Sequence, residues 1–349
     1  MLTFIIFILI LGIIILIHEL GHFLFAKLSG VYVYEFSIGM GKKIFSKKPK
    51  GSETEYNIRL IPIGGFVRLA GEEGEDGDKS VPKEQKLYKK SFLQRFLIFF
   101  MGPGFNFVLA FVTLFIGALI YGSISTSPIV GSVPKDYPAY VAGIRKGDTV
   151  LSIDGEKIKT WDDILWIVQT SNGKTLKFIV KGTDGNERKV EITPSKATTE
   201  EGETTYVFGI GKDSTKERGF VVSLKYAVNK TGSLFKIMIE TVKSLFTGGV
   251  SVNDLSGPVG IYNIVGTQAK NGVESLLYLL AYLSINVGVI NLIPFPAFDG
   301  GHILFLIIEK IIGKPVPEKV ESTITGIGFI LLMILMIYIT GHDILNLFH

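Results

Sequence analysis

The sequence predicts a polytopic α-helical membrane protein with four transmembrane helices and one β-rich domain inserted outside the cytoplasm. Three observations point there. Of 349 residues, 47% are hydrophobic and only 19% charged, and the mean hydropathy is +0.39. The apolar residues gather into four long runs. The polar chain between the second and third runs reads as short strands and turns followed by a helical stretch.

Each span follows from its charges. Residues 1–17 carry no charged side chain. A helix needs ~20 apolar residues to cross the hydrocarbon core, so this one must run past His18, Glu19 and His22 to about Phe25, a span over 1–28. Residues 96–120, 275–298 and 322–341 lack Asp, Glu, Lys, Arg and His. With their flanks they give spans over 93–122, 275–312 and 322–345. A signal peptide is a poor reading of the N-terminus, which has neither a basic start nor a small-residue cleavage site.

Orientation follows from the basic residues of the short loops. The loop over 29–92 and its borders hold Lys42, Lys43, Lys47, Lys48, Lys50, Lys86, Lys89, Lys90 and Arg95, and the loop after the third span holds Lys310, Lys314 and Lys319. Both belong in the cytoplasm, which places the N-terminus and the segment 123–274 outside. The chain has no cysteine, which excludes thiol catalysis, Cys-ligated zinc and disulfides. A net charge of +4 is too small to argue for nucleic acid.

Residues 126–196 form the β-rich domain. Its strand-like runs are Ile129–Val133, Thr149–Ile153, Thr175–Val180 and Lys189–Thr193, with turns at Asp154-Gly155, Asn172-Gly173 and Asp184-Gly185. Trp161–Leu165 suits a short helix capped by Thr160. The string Ala139–Asp148, continued by Val150–Gly155, resembles the PDZ family. That resemblance implies a groove in which an extended peptide adds as a strand, or a module that acts only as a steric filter.

Residues 197–219 read as a linker. The following helix, within 197–274, carries Leu234, Met238, Val242 and Leu245 at helical spacing between lysines. It suits either an amphipathic helix on the outer membrane surface or packing against the β-rich domain. The cytoplasmic segment 31–70 alternates around Tyr32, Tyr34 and Phe36, turns through Gly39-Met40-Gly41, and resumes at Tyr56–Leu60 with Gly64-Gly65 beyond. Such extended chain dips into a membrane only if its backbone is paired. The acidic stretch Glu72–Asp78 reads as a solvated loop.

The chemistry lies at His18-Glu19-Leu20-Gly21-His22. On a helix the two histidines fall one turn apart on one face, where they can share a cation, with Glu19 beside them to take a proton from water. With 5 His and 20 Glu in the chain, chance predicts about 0.004 such motifs. Ionisable groups inside a span are also costly, by ~2.5–3.5 kcal/mol for each charged type, so three within five residues require a shared partner. Zinc takes neutral imidazole and carboxylate ligands, and a catalytic site has three protein ligands. Asp299 ends an uncharged run in Asn291–Gly301, where Pro294 and Pro296 break the helix. It is either the third ligand or the cytoplasmic end of the third span. His302, His342 and His349 are the remaining histidines.

Taken in order, these residues resemble the site-2 protease family of intramembrane zinc metalloproteases, of the bacterial regulator-of-sigma-E type. The likeness runs through His18–His22, Ser37–Gly41, Ile61–Phe66, Gly102–Phe107, one PDZ module, Ser256–Gly260 and Asn291–Gly301. It implies that His18, His22 and Asp299 ligate zinc and that Glu19 is the general base. It implies that Asn291, with Asn106, holds the substrate backbone. Segment 31–70 would be a membrane-associated β hairpin that presents unwound substrate as an added strand through Gly64 and Gly65. The PDZ module would exclude substrates whose outer domains are untrimmed, its single copy departing from members with two.

The implied substrates are single-span membrane proteins, such as anti-sigma factors or remnant signal peptides, in a bacterial plasma membrane, with the active site near the cytoplasmic side. A catalytically inactive PDZ-bearing scaffold is the alternative, against which the intact Glu19 argues. A transporter would need repeats or further polar spans, and none are visible.

Overall fold

A computed structural model of the protein describes residues 1–72, 80–171, 173–198, 204–249, 251 and 255–346. The acidic stretch beyond Glu72, Asn172 of one turn, and His349 lie outside the described residues. The chain divides into two compact units, residues 1–113 with 251–349, and residues 114–250.

The first unit begins with α1 (Leu2–Leu28). Rich in Ile, Leu and Phe and without proline, it continues to Ser29-Gly30, where the Ser29 amide closes back on Phe25 O. Two long strands follow, β1 (Val33–Lys47) and β2 (Glu55–Leu69). Both bend at glycines with positive φ, Gly39 and Gly41 in one and Gly64 in the other. The bends fold the pair on itself. Glu35–Ile38 is flanked on one side by Glu55–Ile58 and on the other by Gly65–Arg68, while Lys43–Lys47 pairs with Tyr56–Arg59. Residues 65–69 thus form an outer edge whose far side carries no strand among the described residues. Arg59 ties the bend together, reaching Glu35, Ser37 Oγ at 3.0 Å and Gly41 O at 2.6 Å.

α2 (Phe92–Tyr121) then runs through Pro103. Ala26, Val31, Val33, Leu69, Leu87, Ile98 and Phe99 pack into one buried cluster, which locks the base of α1, the sheet and the start of α2 together.

The second unit holds β3 (Ser123–Ile124), β4 (Val130–Ser132), α3 (Pro138–Val141), β5 (Thr149–Ile153), β6 (Glu156–Lys157), α4 (Trp161–Thr170), β7 (Leu176–Lys181) and β8 (Glu187–Ile192). β9 (Ser195–Thr198), β10 (Thr204–Val207), β11 (Gly211–Lys212), β12 (Lys216–Glu217) and α5 (Phe220–Thr247) complete it. One sheet has the order β6-β5-β7-β8, and its buried face carries Val150, Ile153, Leu176, Phe178, Val180 and Ile192 over Trp161 and Ile164 of α4. α4 begins at Thr160 with a capping box to Asp163, as the sequence expects, and runs on to Thr170.

The described part of 197–219 is not the linker that the sequence predicts. β10 pairs with β9, β11 with β4 and β12 with β3, and Phe208 enters the core. Composition concealed this because these strands are two to four residues long, and the partners of β11 and β12 lie far upstream.

α5 is anchored on α4 by charges. Lys230 Nζ lies 2.8 and 2.7 Å from the two oxygens of Asp162, Ser233 Oγ donates to Asp162 Oδ2 at 2.7 Å, and Lys236 Nζ meets Asp163 Oδ1 at 2.6 Å. Lys230 and Asp162 are both buried. Truncating one partner of such a pair strands the other charge, at a cost of about 3–5 kcal/mol, whereas replacing both by apolar residues is close to neutral. Lys230→Ala is therefore expected to lower the denaturation midpoint of the purified protein, and Asp162→Leu with Lys230→Met to recover most of it. Equal losses in the two variants would show that the pair does not hold the interface.

Burial of Asp163 works against its charge, but Lys236 and the amides of Thr160 and Lys159 outweigh it and hold the carboxyl below its ordinary range. A depressed carboxyl stabilises fully above its unfolded value. Its contribution fades as pH falls through the folded one.

The chain returns to the first unit with α6 (Pro258–Lys270), α7 (Val273–Leu292), α8 (Asp299–Ile312) and α9 (Glu318–Asn346). The start of α6 is held by α9, where Asp343 Oδ2 accepts from the Gly260 amide at 2.8 Å. A Cβ on Gly257 would stand 2.7 Å from that same oxygen, which gives the Ser256–Gly260 motif a packing cause. Ile10 and Ile14 of α1 pack on Val265 of α6 and on Leu279 and Leu283 of α7.

Among the described residues, four helical segments, Leu2–Leu28, Phe92–Tyr121, Val273–Leu292 and Lys319–Leu345, are long and apolar enough to cross a membrane. The third stops at Leu292, so the single span expected over 275–312 is two helices. Pro294 and Pro296 offer no amide to continue the ladder. The chain instead makes tight turns, Phe295 N to Ile293 O at 2.7 Å and Phe298 N to Phe295 O at 2.9 Å.

Candidate metal centre

The break after α7 decides where Asp299 goes. It is the first residue of α8, and its carboxylate faces α1. Asp299 Oδ2 lies 3.1 Å from His18 Nε2 and Asp299 Oδ1 lies 3.3 Å from His22 Nε2, with 3.2 Å between the two Nε2 atoms. One ligand atom from each of the three residues falls within 4.8 Å of the others. Asp299 thus lies just beyond the end of the third span and beside both histidines.

The donor set fits zinc. Ligands ~2.0–2.2 Å from a tetrahedral ion stand roughly 3.3–3.6 Å from one another, close to the separations present here. Asp299 Oδ2 is also buried with no hydrogen-bond partner among the described residues, which suits an atom that receives a cation. His22 is set for the task by its other nitrogen. Its Nδ1 lies 2.8 Å from the Ile98 carbonyl; a carbonyl only accepts, so the ring proton sits on Nδ1 and Nε2 keeps its lone pair.

Close helix approach makes room for the centre. An ideal Cβ on Gly21 would meet Met101 O at 2.0 Å, and one on Gly102 would meet His22 Nε2 at 2.2 Å. Two glycines bring α1 and α2 backbone to backbone at the depth of the histidines.

A cavity of about 280 Å³ opens beside the three residues. Glu19 lines it together with Phe66, Val67 and Leu69 of the sheet edge, Asn291 at the end of α7, and His302 of α8. Several waters fit in such a volume. The Val67 amide hydrogen-bonds Glu19, so the edge strand touches the expected base directly. Gly65 permits the approach, since a Cβ there would stand 2.8 Å from Ser37 O and 3.4 Å from Glu19 Cγ. Asn291 Nδ2 donates back to Val287 O at 3.0 Å.

Other expectations land differently. Asn106, expected at the substrate, is fully buried. Its amide faces His18 Nδ1 at 3.2 Å, so in this arrangement it is shielded from any peptide in the cavity. Gly64 shapes the bend before the edge and Gly65 begins the edge itself, while Phe66, Val67 and Leu69 supply its cavity wall. Glu72 is not the start of a solvated loop. It lines the cavity, its Oε2 accepts from the Leu69 amide at 3.3 Å, and burial pushes its carboxyl above the ordinary range. Nothing in an acidic run distinguishes its first member, so the sequence held no signal for it. His302 stands in the cavity wall but pairs with Glu321 Oε1 at 3.2 Å and stacks on Phe99.

Comparison with known proteins agrees with this chemistry. The model of peptidase family M50 matches residues 6–335. A protein of Clostridium perfringens, provisionally named a zinc metalloprotease, is 38% identical over 333 residues, 95% of each chain. A protein of Clostridium acetobutylicum with the same provisional name is 36% identical over 95% of this chain and 94% of its own. The regulator of sigma-W protease RasP of Bacillus subtilis is 33% identical over 99% of both. Among solved structures, the PDZ domain of an SdrC-like protein from Listeria monocytogenes aligns with 26% of this chain and 90% of its own, at 24% identity and a TM-score of 0.22.

Proposed function

Because the chain belongs to peptidase family M50, and so is a zinc metalloendopeptidase, we propose that it cleaves peptide bonds within the transmembrane segments of single-span membrane proteins. His18, His22 and Asp299 hold the zinc and Glu19 is the general base. The observation that carries this reading is the convergence of those three ligand atoms from α1 and α8 on one cavity.

Bound zinc polarises a scissile carbonyl and lowers the pKa of water. Every other part of the reaction falls to the chain's own residues. A helical substrate hides its peptide bonds in its own hydrogen bonds, so it must unwind before it is cut. The side of Gly65–Leu69 that carries no neighbouring strand among the described residues keeps carbonyls on which the amides of an unwound segment can pair, its Val67 and Leu69 amides being held by Glu19 and Glu72. Asn291 in the cavity wall can hold the segment's backbone. The Glu19 carboxylate takes a proton from the attacking water and passes it to the leaving amine. Its contact with the Val67 amide keeps it beside the paired strand.

The sheet lies against the membrane on the cytoplasmic side. Its exposed Met40, Ile44, Phe45, Leu60 and Ile61 support this, since water would penalise that patch and lipid would not. The N-terminus and the PDZ-like module lie outside, where the module screens substrates by the size or sequence of their outer parts. Anti-sigma factors and remnant signal peptides are the substrate classes of choice.

The test uses the full chain reconstituted in liposomes with a single-span peptide. Cleavage is expected inside the hydrophobic segment, to stop when zinc is stripped by a chelator, and to return on adding zinc back. Cuts confined to the soluble flanks, or undiminished cleavage without zinc, would overturn the proposal.

A further inference from the structure

The environment of His18 contains a choice that His22 does not have. A neutral imidazole carries one ring proton, and only the nitrogen without it can ligate a metal. For Nε2 to face the ion, the proton must sit on Nδ1 and needs an acceptor there. His22 Nδ1 has a backbone carbonyl, that of Ile98. Among the described residues, His18 Nδ1 has only the side chain of Asn106, whose Nδ2 lies 3.2 Å away.

An amide can play either part. A half-turn about its last side-chain bond exchanges Nδ2 and Oδ1 without changing its shape. With Nδ2 toward His18, the ring accepts at Nδ1 and carries its proton on Nε2, where the lone pair of His22 Nε2 lies 3.2 Å away. That tautomer cannot ligate. With Oδ1 toward His18, the ring donates from Nδ1 and Nε2 is free. Asn106 Oδ1 is buried and has no hydrogen-bond partner among the described residues, so the half-turn supplies a proton to an oxygen that lacks one. The rest of the residue is well held: it is fully buried, and its backbone carbonyl accepts from Ser284 Oγ of α7 at 2.8 Å.

We propose that Asn106 selects the ligating tautomer of His18 and is a positioning residue for the metal, in place of the substrate contact that the sequence expects. The proposal rests on His18, His22 and Asp299 being the zinc ligands. Partners on the far nitrogen of metal-bound histidines are typically worth 10–100-fold in metal affinity. Here one of the two is a side chain and therefore open to substitution.

The experiment measures zinc affinity of the full chain in detergent by competition with a chromogenic chelator, for the parent, Asn106→Leu and Asn106→Asp. Leucine has nearly the same volume and no acceptor, so zinc should bind 10–100-fold more weakly. A carboxylate only accepts, so Asn106→Asp should bind zinc at least as tightly as the parent. At saturating zinc both variants should show the parent KM for a single-span peptide. Parent-like zinc affinity in Asn106→Leu, or a raised KM with affinity unchanged, would overturn the proposal, the latter in favour of a substrate contact. Should Asn106→Leu fail to accumulate, Asn106→Asp decides, and a tenfold loss of affinity there would overturn it. A parent that takes up no zinc would instead remove the metal site itself.

Discussion

Glu19→Gln is expected to reduce cleavage of a membrane-embedded substrate by at least 10²–10⁴-fold, the usual contribution of a positioned general base, with zinc still bound in full. At 1.36 kcal/mol per decade this is about 3–5 kcal/mol of barrier. The amide of glutamine matches the carboxylate in shape and can still accept from the Val67 amide, as Glu19 does. The sheet edge therefore stays in place, and the proposed zinc ligands His18, His22 and Asp299 are untouched. What disappears is a basic oxygen able to take a proton from water. Turnover by single-substrate kinetics, with zinc content by atomic absorption on the same sample, separates the two effects. A variant that cleaves at the parent rate would remove Glu19 from the mechanism, and one that loses its zinc would show that Glu19 supports the metal.

Gly102→Ala should be equally damaging for a different reason. The added Cβ would stand 2.2 Å from His22 Nε2, 2.5 Å from Cε1 and 2.9 Å from Cδ2, far inside van der Waals contact. The ring has no easy retreat, because its Nδ1 is tied to Ile98 O of the same helix that carries Gly102. We expect zinc affinity to fall by more than 100-fold and cleavage to become undetectable, while the protein still inserts in membranes. Gly104→Ala is the control. There the nearest atom is the sulfur of Met101 at 3.2 Å, the end of a flexible side chain, and activity should remain close to the parent's. If Gly102→Ala bound zinc normally, the close crossing of α1 and α2 at His22 would be wrong.

The glycine effect shows what kind of information the sequence withheld. Gly102 stands in a motif, Gly102–Phe107, that is weak as a string, because glycine has many uses. Its meaning is a distance to a histidine some 80 positions earlier in the chain. The same holds for Asn106, placed by family likeness at the substrate although the fold buries it against His18. It holds too for Phe66, Val67 and Leu69, which line the cavity only because β1 and β2 bend back on themselves. Residues 197–219 read as a linker because the strands of two to four residues within them have no periodicity to detect. Their partners β3, β4 and β9 are what make them strands.

Other features were fully local, and the sequence alone determined them. Crossing a bilayer demands a long run without charge, so the four apolar helices are written in consecutive residues. Two histidines at i and i+4 with Glu19 between them are fixed on one helical face by the 3.6-residue turn. Pro294 and Pro296 forbid helix where α7 ends. Tertiary structure alone decided that the chain after that break returns Asp299 to α1, that Glu72 lines the cavity, and that an amide from α2 holds His18. Those outcomes depend on contacts between segments dozens to hundreds of residues apart, whose energies come from packing, which no short window of sequence contains.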